Sequence, residues 1–179
     1  MRFPLPALAL AFVVVLPAAR ADSVAVRDVP NTSGAWQEAR GIIDAPPSVV
    51  RSWLLDYARW PSVFDDVKSV RILSREGEAT RIRFESKSLS RTMTIRIRPT
   101  EAGLVFEGKE GNISFEGKMF LTPASGGRTD VTIQNVARIG GFLGMLAPHG
   151  VIKDRQRQKL RADLGDLQKL AKRVYVARP

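Results

Sequence analysis

Along most of the chain, apolar and polar residues alternate with a period of two, and near its end the period lengthens to that of a helix. Ala35 to Ile43 reads as a first strand with Trp36 as its inward anchor, and Val67 to Leu73 as a second, followed by a turn at Gly77. In Thr80 to Lys87, Ile82 and Phe84 share one face while Arg81, Arg83 and Glu85 share the other. Met93, Ile95 and Ile97 alternate with Thr94, Arg96 and Arg98 in a fourth strand, and Leu104 and Phe106 mark a short fifth. Turn chemistry is expected from Gly108 to Gly111. Ile113, Phe115, Gly117, Met119 and Leu121 line one face of a sixth strand. After Ser125-Gly126-Gly127, Val131, Ile133 and Asn135 line one face of a seventh. One face is apolar throughout and the other charged. The short spacings indicate hairpins, so the pattern predicts an antiparallel meander of about seven strands.

Two helical stretches flank the meander. After the first strand, Asp44 can cap a helix whose first turn takes Pro46 and Pro47, where a missing amide hydrogen costs nothing. Val49, Val50, Trp53 and Leu54 make its apolar stripe, with Ser48, Arg51 and Ser52 facing water. Pro61 disfavours the α region at Trp60, which predicts a break there and a second, shorter helix. At the other end, Val151 to Val174 reads as one long helix, with Leu160, Leu164, Leu167, Ala171 and Val174 on a single face. Its first two turns, Lys153 to Lys159, are strongly charged, so its N-terminal third is expected to emerge from the sheet.

The strand ending Ile43-Asp44, then Ala45-Pro46-Pro47, Val50, Trp53 and the run Asp56-Tyr57-Ala58-Arg59-Trp60-Pro61 resemble the start of the START-like, or SRPBCC, superfamily. Its branches include polyketide cyclase-like and coenzyme Q-binding START proteins. The likeness runs over about residues 35 to 173. It implies an α+β helix-grip fold: a curved antiparallel sheet with two short helices after the first strand, wrapped around a long C-terminal helix with an apolar cavity between. It implies no single activity, since the superfamily holds carriers, cyclases and proteins of unknown role.

Met1 to Ala21 has the make-up of a cleavable export signal: Arg2, an apolar run from Leu5 to Leu16, and Ala19-Arg20-Ala21 as a small-x-small cleavage site. Residues 22–34 then form a polar lead-in with a turn at Pro30-Asn31, and 35–174 the ligand-binding domain of an exported, periplasmic protein. The chain has no cysteine, so neither a lipid-modified cysteine nor disulfides are available. Removing Arg2 and Arg20 leaves 26 basic against 18 acidic residues. That balance favours anionic surfaces, and a transient contact with an anionic membrane is one expectation. Nucleic acid is not an expected partner, because no basic run is interleaved with stacking aromatics. A monomer is expected.

Catalytic constellations mostly fail. With one histidine and no cysteine, any nucleophilic triad would need His149, which follows Pro148 in an apolar, glycine-rich stretch. No set of several His or Cys ligands exists, and neither a metal nor a cofactor is expected. Asp65-Asp66 suit a helix end or turn, and Asp56 a helix junction. Gly111 to Lys118 is spaced wrongly for a phosphate loop and reads as strand, and Gly140-Gly141 opens no nucleotide fingerprint.

The segment from Ile139 to Gly150 carries Phe142, Leu143, Met145 and Leu146 among glycines, although connecting loops are normally polar. It reads as a packed connection, as a lid or gate over a ligand cavity, or as a membrane contact. A sheet with one apolar face and a helix too narrow to cover it leaves room for a cavity. The expected lining is Phe84, Met93, Ile95, Phe106, Phe115, Met119, Ile133, Asn135 and Leu164, although alternation alone fits plain core as well. The leading expectation is a periplasmic carrier for a hydrophobic, lipid-like small molecule. The alternatives are a cyclase-like enzyme, with Asn135, Thr80 or Ser86 as the polar group inside, and an interaction module with a vestigial cavity.

Overall fold

Strand β1 (Ala25–Asp28) pairs with β2 (Gln37–Ile43), and β2 leads into helix α1 (Pro47–Leu55), a 3-10 turn (Tyr57–Arg59) and α2 (Trp60–Val63). Six strands follow, β3 (Val67–Glu76), β4 (Ala79–Ser86), β5 (Arg91–Thr100), β6 (Gly103–Glu110), β7 (Ile113–Ala124) and β8 (Arg128–Ile139), before helix α3 (His149–Ala171) and a π-helical turn (Lys172–Val176). This computed structural model describes residues 24–30, 32, 36–140 and 149–176. All strands belong to one antiparallel sheet ordered β1-β2-β8-β7-β6-β5-β4-β3. The helical pair α1–α2 carries the chain from β2, near one edge, to β3 at the other. The result is the expected α+β helix-grip architecture with eight strands rather than about seven.

The additional strand is Ala25–Asp28, where a loose lead-in was expected. Only Val24 and Val26 recur at a period of two there, too short a pattern to register, and the strand is held by its pairing with β2. Asp28 then receives Lys153 Nζ at 2.6 Å and Arg157 Nη2 at 2.7 Å from α3. This corrects the expectation that the charged start of the last helix emerges from the grip: those cations are its fastening to the sheet edge.

Three other local expectations are corrected. The N-cap of α1 is Pro46, with no side-chain cap, so Asp44 does not cap it. The chain breaks at Asp56 (φ −85°, ψ 74°), not at Trp60, which is helical (φ −52°, ψ −38°). Pro61 falls in the first turn of α2, where its missing N–H has no partner to lose. Gly108 lies inside β6, and the turn glycine is Gly111, whose φ of +56° suits a residue without Cβ.

Tyr57, Trp60 and Phe64 stack edge to face with ring centroids 5.5 Å apart, and Trp60 Nε1 donates to Leu54 O at 3.1 Å. The Asp-Tyr-x-x-Trp-Pro run is therefore an aromatic plug that seats the helical pair on the sheet, consistent with α2 lying against β3. Trp36 is half-buried just ahead of β2. On α3, Leu160, Leu164, Leu167 and Ala171 are fully buried as predicted, whereas Val174 is exposed where the helix passes into its π-turn. None of the helices among the described residues is long and apolar enough to cross a membrane.

Candidate functional site

The concave face of the sheet is built by register. Phe84 pairs with Met93, Ile82 with Ile95 and Thr80 with Ile97; beyond them Ile97 pairs with Phe106, Leu104 with Met119, and Met119 with Ile133. The strictly alternating strands thus bring the predicted residues of β4 to β8 onto one continuous face, with the arginines on the other.

Helix α3 covers this face unevenly. It lies closest along β2, with lesser contact to β1 and β8. Beneath and along it Ala39, Ile43, Val131 and Leu164 are completely buried, with Leu164 directly over Gly41 of β2. Farther out, Phe84, Met93, Ile95, Leu104 and Met119 each keep 6–8% of their surface, while Ile82 and Ile97 between them are closed off. Phe106, Ile113 and Phe115 are only half-buried. The accessible apolar surface of the concave face is therefore concentrated at Phe106, Ile113 and Phe115.

Two glycines shape that surface. A Cβ on Gly117 would meet Phe106 Cζ at 2.3 Å, and one on Gly108 would meet Phe115 Cζ at 2.3 Å. The two rings lie over glycines of the neighbouring strand, so the aromatic surface is laid along the sheet instead of standing upright in the grip.

The polar residues of the face fall into two groups. Ser86 Oγ donates to the Asp66 carboxylate at 3.0 Å, and Thr80 lies near the Tyr57 hydroxyl, whose pKa burial pushes up. Ser86 is thereby engaged in holding β4 to the α2–β3 junction. Asn135 differs: its backbone O and its Oδ1 both accept from Gln156 Nε2, at 2.8 and 2.6 Å, and its carboxamide nitrogen bonds no described residue. Beside it Gln37, fully buried, accepts from Arg157 Nε at 2.8 Å. Gln37 and Gln156 were absent from the sequence-derived site. The first is a polar residue opening β2 on the inner side it shares with Ala39 and Ile43, and the second sits in a charged run that reads as solvated.

On the flank, an open groove of about 750 Å³ runs between α3 and the β4–β5 turn, lined by charged groups rather than by the expected apolar set. Asp65 and Asp166 share Lys169, each at 2.9 Å, and that cation holds the Asp65 carboxyl below its ordinary range. Burial works to raise the Asp66 carboxyl, but the Ser88 and Ser86 hydrogen bonds and Lys159 outweigh it and keep it low. The Asp163 carboxyl is pushed up by burial against the pull of Lys159. Asp65-Asp66 therefore serve a helix–strand junction, as a turn reading anticipates, and Asp56 forms a loose ion pair with Arg59 at 3.7 Å. No group of three or more His, Cys, Asp or Glu among the described residues is placed to hold a metal. The expected gate residues Phe142, Leu143, Met145 and Leu146 lie outside the described residues, as does the export segment.

Residues 38–172 match the family model described as polyketide cyclase/dehydrase and lipid transport. The chain belongs to this family. No curated protein matches its sequence. Among solved structures, this polyketide cyclase/lipid transport family chain is similar to a START superfamily protein from Mycobacterium smegmatis (TM-score 0.66, 12% identity, covering 79% of this chain and 99% of that one). It is also similar to a STAR-related lipid transfer protein from Xanthomonas axonopodis (TM-score 0.63, 16% identity, 84% and 98%). A third is the Zhui aromatase/cyclase from a Streptomyces species (TM-score 0.60, 21% identity, 86% and 99%). At these identities the likeness is one of fold, and the START-like, SRPBCC resemblance of the sequence holds. Binding of hydrophobic ligands, in general terms, is the common ground of the family.

Proposed function

We propose that this chain is a periplasmic binding or carrier protein for a hydrophobic, lipid-like small molecule held between the concave sheet face and α3. The observation that carries the reading is the mismatch between sheet and helix: α3 lies chiefly along β2, while Phe106 and Phe115, beside the buried Met93, Leu104 and Met119, keep accessible apolar area. A ligand covering about 300 Å² of such surface gains roughly 7 kcal/mol before association costs, which suits reversible loading. The apolar start of the chain supports the periplasmic part of the reading.

The printed descriptions of the similar structures name both lipid transfer and an aromatase/cyclase. Carriage is favoured here because Ser86 is already committed to Asp66, and the carboxylate of the face, Asp28, is held by Lys153 and Arg157. The test is native mass spectrometry of protein recovered from the periplasm, alongside uptake of the neutral dye N-phenyl-1-naphthylamine by wild type and Met119→Trp. A co-purifying lipid, and weaker dye uptake with a stability change of about 1–3 kcal/mol, are expected. A ligand-free protein that takes up no dye would sink the proposal.

A further inference from the structure

Across β1, β2, β8, β7 and β6 the inner face reads Asp28, Gln37, Asn135, Gly117 and Phe106, each paired directly with the next. The row passes from charge, through amides, to an aromatic ring. The charges are confined to the sheet edge and engaged with one another, since Asp28 holds both Lys153 and Arg157 and the latter also grips Gln37. What reaches the accessible apolar surface is Asn135, next to the glycine over which Phe106 lies. Its oxygen is taken by Gln156, and its NH₂ bonds no described residue. No buried side-chain donor among the described residues lacks a partner, so this NH₂ is open to solvent and can exchange water for a ligand's acceptor.

We infer that Asn135, held by Gln156 as a positioning residue, is the polar contact of the ligand site. It selects a hydrocarbon with a neutral acceptor head, an ester or ketone carbonyl, over a free carboxylate. The inference rests on the carrier reading above and adds the head group to it. A neutral head suits the place, because the cations beyond Gln37 face away to Asp28 and a carboxylate would have to shed water without a free counter-charge.

The test is displacement of N-phenyl-1-naphthylamine from the mature chain by methyl laurate, laurate and dodecane, in wild type, Asn135→Leu, Asn135→Asp and Gln156→Leu. For wild type, methyl laurate should compete about fivefold to tenfold better than dodecane, as one hydrogen bond allows. It should also outcompete laurate. Asn135→Leu and Asn135→Asp should remove the ester's advantage over dodecane, and Gln156→Leu should reduce it. Equal competition by ester and alkane in wild type, or a preference for laurate, overturns the head-group assignment while dye binding leaves the carrier reading standing. The wild-type series decides this even if a variant fails to fold. Absence of dye binding by folded wild type overturns both.

Discussion

The ring of Phe106 occupies the space that a side chain on Gly117 would need, with its Cζ 2.3 Å from the position of a Cβ there. The two residues are direct partners across β6 and β7, so the contact is fixed by register and not by a flexible loop. Such a glycine is used where another group must lie close to the backbone.

Gly117→Ala should therefore cost about 1–3 kcal/mol, measured as a lowered urea midpoint. Pairing it with Phe106→Ala should recover only part of the loss relative to Phe106→Ala alone, because Gln134 O would still lie 2.6 Å from the new Cβ. Full recovery in the double variant would show that the ring is the sole obstacle.

The α3–β3 junction offers a contrast between buried and exposed charge. Asp166 is 3% exposed and its Oδ2 accepts the Asp65 amide at 2.8 Å, whereas Lys68 and Glu85 pair on the open outer face. Asp166→Ala should destabilise by about 1–3 kcal/mol by leaving a backbone donor unpaired. Lys68→Ala should change stability by less than about 1 kcal/mol. Chemical denaturation of the two variants checks the ranking, and an equal effect would contradict it.

The seam between helix and sheet is tightest at Leu164, which is fully buried over Gly41. Leu164→Ala should cost about 2–5 kcal/mol in the same measurement, since helix and sheet are both too rigid to close the void. A cost below about 1 kcal/mol would mean that Leu164 borders empty space.

These positions also show which parts of the molecule were legible in the sequence. From β4 to β8 one face is buried and the other is wet, so Ile82, Met93, Ile95, Met119 and Ile133 announced both their strands and their shared side. Strand β1 did not, because its order comes from pairing with β2 and from Asp28 meeting α3. Pro61 suggested a break at Trp60, but the chain turns at Asp56, since proline is tolerated in a first helical turn. Within the candidate site, Asn135 stood out as a polar residue on an apolar face. Gln156, Arg157 and Gln37 could not, because only the docking of α3 puts them beside it.

The fastening of α3 to β1 sets an acid limit on the grip. Hydrogen bonds from Lys153, then Gln37 and Arg157, lower the Asp28 carboxyl from 3.8 to about 2. Because the folded-state pKa is the lower one, the unfolded chain takes up the proton first as pH falls. The contribution of Asp28 is therefore complete above its unfolded value, shrinks through the window from about pH 4 to about pH 2, and is absent below it. Asp28→Asn keeps the size of the side chain but removes the charge that Lys153 and Arg157 seek. The stability gap between wild type and Asp28→Asn, read from urea titrations at a series of pH values, should be constant near neutrality and close across that window. Salt should narrow it as well, because the group lies at the surface. A gap that is the same at pH 2 and pH 7 would show that Asp28 holds α3 through shape or neutral hydrogen bonding instead of charge.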